Sequence, residues 1–68
     1  MKKFEVGKIY GENAVKYEIL KRTAKTVTYI RIFHLGRFNE KRTEPAKAKI
    51  FDWTTREVFF RHDETIEA

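Results

Sequence analysis

The alternation of apolar and polar side chains is strongest in residues 26–35, where β-branched residues occupy alternate positions. A repeat of two places these side chains on one face of a pleated strand, so the pattern predicts a β-strand. Residues 17–23 carry a similar pattern, and residues 23–26 suit a loop that joins the two strands into a hairpin. In the register set by this loop, Ile19 lies opposite Ile30 on the face expected to turn toward the core.

Shorter strand patterns lie on both sides of this hairpin. In residues 4–10 apolar and polar side chains alternate until Gly7 interrupts the pattern. Residues 57–61 and 65–67 have the composition of short strands. The stretch between the hairpin and residue 42 contains glycine, asparagine and charged residues and is predicted as a loop.

Residues 44–51 fit two interpretations. Thr43 stands where a helix cap would, which predicts one short helix near residues 44–51. Alternatively, residues 47–51 form a strand that pairs with residues 57–61 across a turn containing Trp53, and we favour this strand. Trp53 itself is either an exposed binding anchor or a lid that covers one end of the core.

Together these segments predict an all-β or β-rich fold and one small domain spanning residues 1–68. Five short, half-apolar strands are typical of a small SH3-like barrel, or failing that an OB-like one, because closure protects strand edges. The chain has no cysteine, which fits a reducing compartment. No apolar run approaches the roughly 20 residues that span a bilayer, so we expect a cytoplasmic protein with no membrane partner.

Positive charge is concentrated in the first part of the chain. Residues 1–49 hold 13 Lys and Arg against 5 Asp and Glu, a net charge of +8, whereas residues 50–68 hold 2 against 5, a net charge of −3. Such asymmetry indicates an anionic partner for the first part. A solvated, lysine-rich surface without a partner is the alternative.

The basic hairpin is the most informative candidate site. Phosphates are bound by the flexible ammonium groups of lysine or the forked guanidinium groups of arginine, and unpaired bases stack on aromatic rings. The predicted face opposite Ile19 and Ile30 combines both kinds of side chain, and so does the loop at residues 37–42. We also expect Glu18 and Arg31 to form an opposite-charge pair across the two strands. The candidate nucleic-acid-binding residues are Lys16, Lys21, Arg22, Lys25, Tyr29, Arg31, Arg37, Phe38 and Arg42.

Catalytic chemistry finds little support in this sequence. It contains no serine, no cysteine and no glycine-rich phosphate loop, so we expect neither catalytic residues nor a cofactor. His62, Asp63 and Glu64 are a weak metal motif, because adjacent strand residues point to opposite faces and zinc needs three or four ligands. No metal is therefore expected.

Two segments carry a resemblance to a known family. Residues 4–10, Phe-Glu-Val-Gly-Lys-Ile-Tyr, and residues 22–28, Arg-Thr-Ala-Lys-Thr-Val-Thr, resemble the motifs of short uncharacterised proteins from plasmids, phages and other mobile elements of gut Firmicutes. Many members carry a Pro-x-Gly-x-Tyr-Ser-Met block near the C-terminus, and residues 58–65 differ from it. The family has no assigned activity, so the resemblance implies a mobile-element setting and transfers no function.

We therefore expect a small basic binding module whose best-supported ligand is single-stranded nucleic acid, bound without sequence specificity through the hairpin. The alternative is a protein-interaction or inhibitory module of a mobile element that acts on a host or element-encoded protein. A homodimer with a structural role is a third hypothesis, because a domain of this size has a thin core.

Overall fold

The regular structure of the chain consists of short β-strands. The computed structural model describes residues 2–12, 14–61 and 64–68, and within them the strands are β1 Ile9–Tyr10, β2 Lys16–Arg22, β3 Thr26–Phe33, β4 Lys41–Arg42, β5 Ala46–Lys49, β6 Phe51–Asp52, β7 Glu57–Arg61 and β8 Glu64–Glu67. They form two antiparallel sheets, β1-β2-β3 with β4 and β5 along the other edge of β3, and β6-β7-β8. The all-β prediction is confirmed.

Residues 44–51 form neither a helix nor one continuous strand, because the chain passes between the sheets at Ile50. β5 pairs with β3 in the larger sheet, and β6 pairs with β7 in the smaller one. Ile50 is buried between them, and its N–H donates to the carbonyl oxygen of Lys25 at 2.7 Å. The helix alternative is therefore wrong, and the expected pairing with residues 57–61 holds only for β6. Because the segment around Ile50 is divided into β5 and β6, and because β4 also forms, the structure has more strands than the five predicted.

The hairpin of β2 and β3 keeps the predicted register only beside its turn. Arg22 lies opposite Val27 as expected, but Ile19 lies opposite Tyr29 rather than opposite Ile30. In the half of the hairpin that is farther from the turn, the observed pairing is therefore shifted by one residue from the predicted pairing.

Leu20 is the residue at which this offset arises, and it forms a β-bulge between Ile19 and Lys21. At a bulge, two residues of one strand oppose a single residue of the other, so the pairing beyond it is shifted. A shift of one residue exchanges the two faces of a strand. Tyr29 consequently turns toward the core beside Ile19, and Thr28 turns outward beside Lys21.

Four aromatic rings fill the space between the two sheets. Tyr17 and Tyr29 come from the larger sheet, Phe59 from the smaller sheet and Phe4 from the N-terminal segment. The centre of the Phe59 ring lies 5.1 Å from those of Phe4 and Tyr29 and 5.9 Å from that of Tyr17. Such ring pairs add about 0.5–1.5 kcal/mol each beyond simple burial. The aliphatic part of this core consists of Ile19, Val27, Ile50 and Ile66.

Candidate nucleic-acid interface

Arg22, predicted to contact phosphates, is engaged in an ion pair within the protein. Its Nη1 and Nη2 donate to Oε1 and Oε2 of Glu57 at 2.7 and 3.0 Å, and Nη1 also donates to the carbonyl oxygen of Phe4 at 2.8 Å. The N–H of Phe4 donates to the same Oε1 at 2.9 Å. Because this bidentate contact occupies the fork of the guanidinium, Arg22 joins β2 to β7 and the N-terminal segment rather than facing solvent.

The charges of this pair stabilise each other. The side chain of Glu57 is 4% exposed, and burial by itself disfavours a carboxylate. The hydrogen bonds from Arg22 outweigh burial and hold the pKa of Glu57 below its ordinary value, with help from the N–H of Phe4. The same contact raises the pKa of Arg22. Both groups are therefore charged at neutral pH, and the pair acts as a clamp between the sheets.

Arg42, another predicted site residue, is also partnered by carboxylates. Its Nη1 donates to Oε1 of Glu18 at 2.7 Å and its Nε to Oε2 of Glu40 at 3.1 Å. Glu18 lies opposite Ile30 and Arg42 opposite Ile32, so their ion pair spans β3 on the outer face of the larger sheet. Ile30 and Ile32 lie on this same face, and both are buried although they point away from the central core.

Arg31 and Tyr29 are displaced from the predicted binding face by the bulge at Leu20. Arg31 lies opposite Tyr17 rather than Glu18, so the expected cross-strand placement of Glu18 and Arg31 is wrong. Tyr29 is 1% exposed, and burial raises the pKa of its hydroxyl. A buried ring cannot stack on a base, so Tyr29 is a core residue.

Lys16, Arg37 and Phe38 lie away from the hairpin turn. The Nζ of Lys16 donates to the carbonyl oxygen of Gly11 at 2.7 Å. Arg37 and Phe38 are exposed in the loop between β3 and β4. β3 ends at Phe33, five residues beyond Thr28, so at a rise of about 3.3 Å per residue the loop lies roughly 17 Å or more from Thr28 along the strand. The structure therefore does not bring these three residues together with Lys21 and Lys25.

A set of lysines on the outer face of the larger sheet takes the place of the predicted site. Thr28 lies between Lys21 and Lys47 in one row across β2, β3 and β5, and Thr26 lies opposite Lys49. With strands about 4.8 Å apart, the Cα atoms of Lys21 and Lys47 are roughly 10 Å apart. We define the lysine face as Lys21, Lys47 and Lys49 with Thr26 and Thr28 on the strands, together with Lys25 of the adjoining hairpin turn.

The outward direction of Lys47 and Lys49 follows from the sequence of β5. Ala46 and Ala48 pack against the core, and alternation along a strand sends the intervening lysines to the other face. Lys47 and Lys49 are absent from the predicted site because residues 47–51 were expected to pair with residues 57–61, whereas β5 pairs with β3. The Ala-Lys-Ala-Lys repeat was the signal that could have identified them.

A shallow groove of about 420 Å³ runs along the lysine face beside the hairpin turn. The hydroxyls of Thr23 and Thr26 lie 2.8 Å apart at its edge. Among the described residues no carboxylate lines this groove, whose walls are formed by Leu20, Lys21, Arg22, Thr23, Thr26, Thr28, Pro45 and Lys47. In the described part of the chain, the lysine face forms no ion pair. Lys21 and Lys47 are therefore the cations of this groove that have no ion-pair partner among the described residues.

Two other predictions concern metals and membranes. Residues 2–12, 14–61 and 64–68 contain no group of three or more His, Cys, Asp or Glu residues placed to hold a metal ion. His62 and Asp63 of the weak metal motif lie outside the described residues. In those same ranges no helix has the length and apolar character needed to cross a membrane.

Comparison with known proteins identifies no relative. No family model matches the chain, and neither the curated proteins nor the solved structures include a match to it. The function must therefore be argued from the lysine face and its surroundings.

Proposed function

We propose that this protein binds nucleic acid through the phosphate backbone and that the lysine face is the contact surface. The observation that carries this proposal is a row of lysines that has no ion-pair partner in the described residues and borders a groove without carboxylates. Ammonium groups neutralise phosphates and release the counterions condensed on the strand, which drives binding. Threonine hydroxyls on the same face add hydrogen-bond donors for phosphate oxygens.

The shape of the site favours binding without sequence specificity. Reading base edges in a duplex requires an element that enters the major groove, usually a helix or a two-stranded ribbon. The lysine face is the outer surface of a sheet, and three of its four cations lie on strands, Lys21 on β2 within the sheet and Lys47 and Lys49 on β5 at its edge. We therefore expect contacts to phosphates and sugars, which position a strand and carry no sequence information.

The test is fluorescence anisotropy of a labelled single-stranded oligonucleotide across a salt series. Each neutralised phosphate contributes about −0.7 to the slope of log K against log salt, so four lysines predict a slope of roughly −3. Lys21→Glu combined with Lys47→Glu reverses both ends of the row and should flatten the slope by about 1.4. Arg37→Glu combined with Lys41→Glu makes the same charge change at the far loop and is the matched control.

Each outcome of this experiment bears on a separate part of the proposal. Absence of binding at low salt, where the electrostatic attraction is largest, refutes nucleic-acid binding. If the wild type binds, but the slope of log K against log salt is flattened in the Arg37 and Lys41 variant and not in the Lys21 and Lys47 variant, then nucleic acid is the ligand and the lysine face is the wrong surface.

Phe38 favours a second candidate function, that of a protein-interaction or inhibitory module. Its relative exposure is 103%, and it follows Arg37 at the tip of a loop. An exposed aromatic ring beside a cation is a typical anchor for a partner protein. Phe38→Ser should then abolish capture of a partner from nuclease-treated lysate while leaving oligonucleotide binding unchanged.

A further inference from the structure

Three exposed aromatic rings form a cluster on the outer face of the smaller sheet. Phe51, Trp53 and Phe60 are 43%, 44% and 47% exposed. The Phe60 ring is central, with its centre 5.4 Å from that of Phe51 and 6.2 Å from that of Trp53. Val58 lies opposite Phe51 in the sheet and is fully buried. The cluster thus covers Val58 and still presents nearly half of each ring to solvent.

The geometry of the rings leaves them open to a ligand. The interplanar angles are 60° between Phe51 and Phe60 and 58° between Trp53 and Phe60, so the central ring has no parallel partner in the cluster. Trp53 is held in the turn between β6 and β7, where its backbone N–H donates to the carbonyl oxygen of Arg56 at 2.9 Å. It is therefore a half-exposed surface residue rather than the buried lid considered from the sequence.

The cluster is continuous with the lysine face. Lys49 and Phe51 flank Ile50, where the chain passes from the larger sheet to the smaller one, and the Nζ of Lys49 lies 5.5 Å from the centre of the Phe51 ring. A cation at this distance is attracted to an aromatic face. The carboxylate of Glu67 belongs to the same side of the smaller sheet, since Glu67 lies opposite Val58, and it accepts a hydrogen bond from Arg56 at 3.0 Å.

We propose that Phe51, Trp53 and Phe60 form a stacking platform for unpaired bases of a strand whose phosphates lie along the lysine face. This inference rests on the proposed function and names the form of its ligand, a single strand. Bases present their faces to aromatic side chains only when they are unpaired, and neighbouring cations hold the adjoining phosphates. The position of the lysine face beside the aromatic cluster also argues against a second copy of this chain as the occupant, because the lysine faces of the two copies would repel each other.

The experiment uses Trp53 as an intrinsic reporter, since it is the only tryptophan of the sequence. Short oligo(dT) should quench its fluorescence at low salt, whereas an oligonucleotide of equal length made of abasic residues should bind through phosphates without quenching. Phe60→Leu keeps an apolar cover over Val58 and removes the central π-face. It should weaken oligo(dT) binding roughly 5- to 150-fold, which corresponds to 1–3 kcal/mol of stacking per base.

Two controls separate stacking from general damage. Phe60→Tyr retains an aromatic ring and should bind like the wild type, and Phe38→Leu removes an exposed ring elsewhere and should leave oligo(dT) binding unchanged. The salt slope of Phe60→Leu should equal that of the wild type, because no charge is lost.

The proposed function and the platform fail in different ways. If abasic and oligo(dT) strands bind equally tightly, with a full salt slope and no change in Trp53 fluorescence, the lysine face binds nucleic acid and the platform is refuted. A dimer in sedimentation whose Trp53 emission is already that of a buried indole refutes the platform as well. If neither strand binds at low salt, the proposed function is refuted together with the platform.

Discussion

Replacing Glu57 with alanine tests whether the ion pair with Arg22 holds the two sheets together. The change removes the carboxylate that accepts hydrogen bonds from the guanidinium of Arg22 and the N–H of Phe4, and it leaves the guanidinium with carbonyl acceptors only. Losing one partner of a buried ion pair costs about 3–5 kcal/mol, and since Arg22 is 20% exposed and regains some hydration, we expect about 3 kcal/mol. A domain of this size has roughly 3–10 kcal/mol of stability at about 0.05–0.15 kcal/mol per residue, so this variant should lose between about a third and nearly all of its stability.

Glu57→Gln is the gentler variant and makes the effect measurable. It preserves the shape of the side chain and one acceptor oxygen, so we expect a loss of about 1–2 kcal/mol in the free energy of unfolding. For a domain of this length, each kcal/mol lowers Tm by about 4–8 °C. Glu5→Gln is the matched control, because it removes an exposed carboxylate that pairs with Lys8 at the surface, where ion pairs contribute little.

The acid limb of the stability curve gives a second readout. The pKa of Glu57 is lowered in the folded protein, so its stabilisation is complete above the unfolded pKa of about 4.3 and is lost as pH falls through the folded pKa. The wild type should therefore lose stability in acid more steeply than Glu57→Gln, as measured by urea unfolding at stepwise pH. Coincident acid limbs, or equal Tm values for the wild type and Glu57→Gln, would show that this pair is not a clamp.

Two further predictions concern the hydroxyl of Tyr17 and the bulge at Leu20. Burial and a 2.7 Å hydrogen bond to Glu64 raise the pKa of Tyr17 to about 12, so the stabilisation is present below the unfolded pKa of about 10 and declines up to about 12. Tyr17→Phe should consequently lose less stability than the wild type as the pH rises from about 10 to about 12 in urea unfolding. Deleting Leu20 keeps the faces of the remaining β2 residues and should lower Tm yet preserve the near-ultraviolet circular dichroism, whereas deleting Glu18 turns Tyr17 outward and should abolish that signal.

The strands could be predicted from alternation because their patterns are local, and the pairing beside the hairpin turn followed from the loop. The bulge could not be predicted, because nothing in the segment Ile19-Leu20-Lys21 shows that Leu20 has no partner of its own on β3. Both Tyr29 and Ile30 are suitable core residues, so the alternation of β3 fits either face. The choice depends on how the rings of Tyr29 and Phe59 pack once the second sheet closes over the first.

The basic character of the site was evident from the charge distribution, but the identity of the available cations was not. Arg22 and Arg42 are neutralised by Glu57 and Glu18, which lie far from them in the sequence. No spacing rule predicts such pairs. Lys47 could not be placed on this face from the sequence because the chain passes from one sheet to the other at Ile50, and no local pattern marks that bend.

The contacts that close the two sheets onto each other have a consequence for folding kinetics. The N–H of Phe4 bonds to a carboxylate 53 residues away, and the hydroxyl of Tyr17 to one 47 residues away. Contacts of such sequence separation form late and slowly, because a long loop must close before they contribute. The hairpin of β2 and β3 can form early by itself, but β5 reaches its edge from the same bent segment that enters the smaller sheet. The lysine face is therefore completed only when the chain has folded along most of its length, and partly folded chains present an incomplete surface to any anionic partner.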